Sequence, residues 1–306
     1  MTAPTIVAGV DGSPTSQEAL RWAAALARVL GAEVVAVHAV GLIERADDVA
    51  ASAWSAPLVD SGVAHRIDIE DGDAVEVLLR AAEREHAALL VVGSRGTGDR
   101  PELAIGSTSL RLLQAGRIPA LVVPDGTGGP DDGGRISLHH VLVGVDGSGP
   151  ALAALGVAAD LVESLGGSLS VVEAFEYHQP FPLGPAAATS LGEEQALEKT
   201  AALLEEQVRD IRGRGVHVQV IVRSGDACST LLDVADDIEA DLIVVGSRGQ
   251  GDPADPLLGS VARAVAAHAA RPTLVVPAAA GAVHMAGDEL TINMDDPGRS
   301  DGRHRR

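Results

Sequence analysis

Three short segments of this chain occur twice, in the same order. Ile6-Val-Ala-Gly-Val-Asp-Gly-Ser13 returns as Val141-Leu-Val-Gly-Val-Asp-Gly-Ser148. Leu89-Leu-Val-Val-Gly-Ser-Arg-Gly96 returns as Leu242-Ile-Val-Val-Gly-Ser-Arg-Gly249. Ile118-Pro-Ala-Leu-Val-Val-Pro124 returns as Arg271-Pro-Thr-Leu-Val-Val-Pro277. A repeat of this length means that each half must satisfy the same fold. The 306 residues also suit two domains of ordinary size. Between the copies, Asp125-Gly-Thr-Gly-Gly-Pro-Asp-Asp-Gly-Gly134 has no apolar face and reads as a linker. The expected organisation is one unit over 1–125, a linker over 126–138 and a second unit over 139–278. A tail over 279–306, of mixed charge and without periodicity, reads as disordered.

Within each half, short Val/Ile/Leu runs alternate with longer Ala/Leu/Glu/Arg stretches. Near-continuous apolar runs of five or six residues fit parallel strands covered on both faces. Strands are expected near 5–10, 33–38, 64–69, 88–93 and 119–123, then near 140–145, 168–174, 216–222, 241–246 and 272–276. Helical spacing places Ala19, Trp22, Ala23, Leu26 and Leu30 on one face, opposite Arg21 and Arg28. Ser13-Pro14 suits the start of that helix and Gly31 its end. Alternating β and α units joined by right-handed crossovers give an α/β fold, with a doubly wound five-stranded parallel sheet in each half. The halves are unequal, because the second carries 18 additional residues between the first and second motifs. There Glu193–Gly213 reads as an amphipathic helix with Leu197, Leu203, Leu204, Val208 and Ile211 inward. The matching stretch Leu42–Ser61 reads as short or irregular, broken by Pro57.

Composition removes several functions. The net charge is −20, and Lys199 is the only lysine, so a nucleic-acid platform that neutralises phosphates is not expected. Aromatic residues make up 2%, too few to stack bases along a strand. No run approaches the ~18–20 apolar residues of a membrane helix, and the N-terminus lacks the basic and apolar regions of a signal peptide. Cys228 is the only cysteine, which excludes an internal disulfide and points to a cytoplasmic protein.

The chemistry-bearing signal follows the fourth strand of each half. Gly93-Ser-Arg-Gly96 is followed by nine residues and then Gly106-Ser107; Gly246-Ser-Arg-Gly249 is followed by nine residues and then Gly259-Ser260. Glycines let the backbone turn sharply and approach a ligand. The second Gly-Ser opens a helix whose free N–H groups and dipole favour an anion. Ser107 and Ser260 add a hydroxyl, and Arg95 and Arg248 a cation. On the residues alone, the same glycines could be turn and cap positions only. Identical spacing, kept while Thr97–Ile105 and Gln250–Leu258 diverged, favours a phosphate cradle. Asp11 and Asp146, at the end of the first strand, fit either a helix start or contact with a nucleotide's base, ribose or bound metal.

Other candidates are weaker. The histidines show no ligand spacing, and His38 reads as a packed side chain. Cys228 lies near a helix start, where a thiolate would be favoured, but reads as a small buried residue. No lysine stands in a glycine loop, so a Walker-type NTPase is excluded. The turn after the first strand is Val-Asp-Gly-Ser rather than a dinucleotide fingerprint.

Taken together, the Gly-Val-Asp-Gly-Ser opening, Val-Val-Gly-Ser-Arg-Gly, the nine-residue gap, Gly-Ser and the closing Pro-x-Leu-Val-Val-Pro resemble the universal stress protein family in its tandem two-domain form. The resemblance runs to about residue 277, and the glycine spacing is that associated with the family's ATP-binding members. It implies an adenine-nucleotide α-hydrolase-like, Rossmann-like fold with a nucleotide pocket in each half. Gly93, Gly96, Gly106 and Ser107 would hold phosphates and ribose, with Thr108 extending the helix-start contacts. Gly246, Gly249, Gly259, Ser260 and Val261 would do the same in the second half. Asp11 and Asp146 would line the base side, with Ala39 and Ala174, and Gly9 and Gly144 complete the set. The resemblance further implies that the two last strands pair the halves into an intramolecular pseudo-dimer, leaving open whether two chains associate. It implies ATP, with or without Mg2+, in a regulator or sensor of the cellular stress response with no catalytic residues. A slow ATP hydrolase, or an interaction scaffold with vestigial or cyclic-nucleotide pockets, are the alternatives.

Overall fold

The computed structural model describes residues 3–41, 54–98, 104–127, 138–175, 186–250 and 258–277. Most of the linker and the expected tail lie outside the described residues. The first half runs β1 (Thr5–Gly9), α1 (Pro14–Leu30), β2 (Glu33–Val40), α2 (Ala56–Ser61), β3 (His65–Asp71), α3 (Ala74–Arg84), β4 (Leu89–Gly93), α4 (Ser107–Ala115) and β5 (Ala120–Val123). The second runs β6 (His140–Gly144), α5 (Gly149–Leu165), β7 (Ser168–Phe175), α6 (Ala186–Gln207), α7 (Arg209–Gly213), β8 (His217–Ser224), α8 (Ala227–Asp237), β9 (Leu242–Gly246), α9 (Ser260–His268) and β10 (Thr273–Val276). All ten strands overlap the expected positions, although the edge strands β3 and β8 mix polar with apolar residues rather than running apolar.

The two five-stranded sheets join into one, in the order β3-β2-β1-β4-β5-β10-β9-β6-β7-β8. Every pairing within a half is parallel. The junction is antiparallel, with Leu121 opposite Leu274. The halves therefore form the pseudo-dimer that the family resemblance implies. One face of the sheet is covered by α1, α2, α5 and the α6–α7 stretch, and their apolar residues form a single cluster that crosses the junction. The other face is covered by α3, α4, α8 and α9. Ala-rich helices lie close on Val/Ile/Leu strands, so the core needs few aromatic rings.

Local signals explain the helix ends. The Ser13 side chain accepts the Ser16 N–H, Pro14 stands in the first turn, and Gly31 closes α1 in the left-handed conformation at φ 60°. Ser148 and Gly166 do the same for α5. Three expectations need correction. Pro57 stands in the first turn of α2 and so begins that helix rather than breaking it; Pro is tolerated there because its missing N–H would be unpaired anyway. The helix expected over 193–213 begins at Ala186 and is divided at Val208. Leu204, Val208 and Ile211 are buried as expected, but Leu203 is 55% exposed, because the stripe that reaches the sheet is narrower than the apolar pattern.

Candidate functional site

In each half the strand order reverses between the first and fourth strands, β1 against β4 and β6 against β9. Crossovers leave those neighbours in opposite directions, opening a crevice at their carboxyl ends. A cleft stands there in both halves. The first, of about 960 Å³, is lined by Gly9, Asp11, Ala39, Gly93, Arg95, Gly96, Gly106, Ser107 and Thr108, among others. The second, of about 390 Å³, is lined by Gly144, Asp146, Ala174, Gly246, Arg248, Gly249, Gly259, Ser260 and Val261, among others. Each binding residue expected from the sequence thus lines one of the two clefts.

The glycines have individual reasons. A Cβ on Gly93 would stand 2.8 Å from the backbone carbon of Thr15, and one on Gly246 would stand 2.7 Å from that of Pro150. These two let the first turn of α1 or α5 press against the strand end. On Gly96 a Cβ would collide with Asp11 Oδ2, and on Gly249 with Asp146 Oδ2. Gly106 and Gly259 donate their N–H to Ser94 O at 2.7 Å and Ser247 O at 2.8 Å, folding the long loop back on its start.

Asp11 and Asp146 hold the two loops of each cleft together. Asp11 Oδ1 accepts the N–H of Ser13 at 3.0 Å, and its Oδ2 accepts the N–H of Thr97 at 3.0 Å. Asp146 accepts from Ser148 N–H and Gln250 N–H, both at 3.0 Å. Neither aspartate caps the helix, because Ser13 and Ser148 do that. The Ser13 hydroxyl donates to Asp11 Oδ1 at 2.6 Å, the Thr15 hydroxyl to Arg95 O, and Ser148 Oγ to Arg248 O at 3.4 Å.

The open feature of each cleft is a helix start. The N-termini of α1, α3, α5 and α8 are capped by the side chains of Ser13, Asp73, Ser148 and Asp226. Those of α4 and α9 begin at glycine with no side-chain cap, so their first-turn N–H groups are free to meet an anion.

Sequence reasoning missed several cleft residues. Thr15, Thr97 and Leu78 line the first cleft; Gln250 and Leu231 line the second. The shared repeat could have found Thr97 and Gln250, since both follow the second glycine of the motif. His38 is buried, with Nδ1 donating to Val10 O at 2.8 Å and its ring edge-on to Trp54 at 4.8 Å. The register places Glu173 of β7 in the corresponding position. It is half-buried, and its carboxyl is pushed up by burial and by the charge of Asp146. Cys228 is half-buried, and burial, helped by Asp226, raises its thiol. The helix start therefore does not make it a reactive thiolate. Among the described residues no three His, Cys, Asp or Glu side chains cluster to hold a metal ion, and no helix is long and apolar enough to cross a membrane.

The family model for universal stress proteins matches residues 3–124 and again 137–277, one match for each half of the fold. The chain belongs to the universal stress protein family. A universal stress protein of Mycolicibacterium smegmatis is 30% identical over 297 residues, covering 89% of this chain and 96% of that protein. One from Mycobacterium tuberculosis is 30% identical over 307 residues, covering 88% and 95%. Among solved structures, a universal stress protein from Archaeoglobus fulgidus has a TM-score of 0.62 at 21% identity, covering 91% of this chain and all of that one. At that identity the likeness speaks for the fold. As a universal stress protein, this chain has the tandem arrangement along its whole described length.

Proposed function

We propose that this universal stress protein binds an adenine nucleotide, ATP, in each half and works as a nucleotide-dependent regulator of the cellular stress response. The observation that carries this reading is the uncapped start of α4 and α9, facing a glycine loop at the carboxyl end of a parallel sheet, built twice. Phosphates would lie against the first-turn N–H groups, Ser107 or Ser260, and Arg95 or Arg248. The nucleoside would extend past Asp11 or Asp146 toward Ala39 or Ala174. Local amides and one arginine per loop would hold the anion against a net charge of −20. Any magnesium would come with the phosphates, since Mg2+ binds readily through phosphate oxygens and water.

Regulation is favoured over hydrolysis by the hydrogen bonding of the cleft aspartates. Each carboxylate already accepts two backbone amides, an arrangement suited to holding loops rather than to taking a proton from water. The test is direct. Protein purified without added nucleotide is denatured, and the released small molecules are identified by mass spectrometry. Up to two adenine nucleotides per chain are expected. A protein that releases none, and takes up no labelled ATP afterwards, overturns the reading.

A further inference from the structure

The two clefts share one plan but are not lined alike. The glycine motifs set Ser107 against Ser260, Thr108 against Val261 and Thr97 against Gln250, and all six line their clefts. The first pair is conserved in chemistry. The second places a hydroxyl in one half and two methyls in the other, at the second residue of the helix whose N-terminus is open. In the third pair, Gln250 commits its side chain as well as its backbone: Nε2 donates to Asp146 O while its N–H donates to Asp146 Oδ2. Thr97 gives only its backbone N–H to Asp11. Among the described residues the hydroxyls of Thr97, Ser107 and Thr108 have no hydrogen bond of their own. The N-terminal cleft therefore offers three hydroxyl donors where the C-terminal cleft offers Ser260, and its loops are joined without the additional Gln250 tie.

We propose that the two clefts differ in how they read the phosphate chain: the N-terminal cleft distinguishes a nucleoside triphosphate from a monophosphate, and the C-terminal cleft does so much less. The assignment rests on the nucleotide reading above. Hydrogen bonds to a charged acceptor are stronger than neutral ones, and each additional one is worth about tenfold or more in affinity. The Val261 side chain offers a phosphate no donor beyond the backbone N–H that Thr108 also has, and it shields the phosphate from water, which is unfavourable for a charge. The C-terminal cleft would then hold its ligand chiefly through the nucleoside and backbone amides. One chain would report both the total adenine nucleotide and its phosphorylation state.

The experiment blocks one cleft at a time with Ala39→Phe or Ala174→Phe, at strand positions outside the glycine loops. ATP and AMP binding to the remaining cleft is then measured by calorimetry, with circular dichroism confirming the fold. The ratio of ATP to AMP affinity is expected to be at least about tenfold greater in the N-terminal cleft, the worth of the Thr108 hydroxyl's charge-assisted hydrogen bond alone. Thr108→Val should lower that ratio and Val261→Thr should raise the C-terminal one. If a blocked variant fails to fold, the same two exchanges in the unblocked chain decide the matter through its two-site isotherms. Equal ratios in the two clefts, a larger C-terminal ratio, or exchanges that leave both ratios unmoved overturn the proposal while leaving nucleotide binding intact. Binding of neither nucleotide to the unblocked chain instead removes the reading on which it rests.

Discussion

Asp146 Oδ2 accepts the backbone N–H of Gln250 at 3.0 Å, across 104 residues of chain. Asp11 and Thr97 repeat the contact at 3.0 Å across 86 residues. Each aspartate joins the loop after the first strand to the loop after the fourth, the two walls of the cleft. Asp146→Ala removes a charged acceptor from two backbone amides; it should therefore lower stability by about 1–3 kcal/mol and should release bound nucleotide from the C-terminal half. Asp146→Asn keeps one acceptor oxygen and should recover part of both losses. Urea melts and retained nucleotide content measure the two effects. Unchanged nucleotide content in the alanine variant would contradict a loop-holding role.

The glycines divide into two classes. Gly93→Ala and Gly246→Ala press a methyl group onto the backbone of α1 or α5, and should cost about 1–3 kcal/mol of stability by overpacking. Gly96→Ala and Gly249→Ala displace the aspartate carboxylate instead, so they should cost binding in that half more than they cost stability. Thermal melts compared with nucleotide content across the four variants check the division. The same losses in all four would show that the loops and the sheet respond as one unit.

Much of this architecture could be read in the residues, for a physical reason. Parallel strands buried on both faces read as near-continuous apolar runs, so the inner strands stand out against Ala-rich helices, while the edge strands β3 and β8 carry polar residues. Ser13-Pro14 and Gly31 mark α1 because capping chemistry is local. What could not be read depends on distant partners. Asp-Gly-Ser is a local helix-start signal, yet the cap is Ser13, while Asp11 reaches a loop more than eighty residues away. Gly96 looks like a ligand-approach glycine but makes room for that carboxylate. The exposure of Leu203 depends on how much of α6 the sheet can cover, which periodicity does not contain.

Glu173 carries a pH dependence of known sign. Its carboxyl is raised above the ordinary range by burial and by Asp146. The folded state therefore holds a proton that the unfolded state has released, over the window between the ordinary glutamate value and the raised one. Stability falls as pH rises through that window. Glu173→Gln removes the charged form altogether. It should melt higher than the parent protein at neutral pH, with the difference shrinking toward pH 4. A parent protein less stable than the variant by the same margin at both pH values would point to packing rather than charge.

The junction of the halves predicts how the chain unfolds. Leu121 and Leu274 face each other across the antiparallel β5–β10 pair, 1% and 4% exposed. Trp22 and Leu26 of α1 line a small apolar cavity with Val157 and Leu161 of α5 at the same seam. The cluster on this face runs through both halves, so neither half can open without exposing the other. The two tryptophans, Trp22 and Trp54, both lie in the first half, so their fluorescence follows that half while far-ultraviolet circular dichroism follows both. In urea the two signals should move together, as a single cooperative transition requires. Leu274→Ala should cost about 2–5 kcal/mol as a buried large-to-small change. Leu274→Asp, which puts a charge on the seam, should separate the fluorescence transition from the dichroism transition. If the wild-type signals already separate, the halves fold independently and the seam is only a contact. If Leu274→Asp leaves them coincident, the cooperativity comes from the helices rather than from the strand pair.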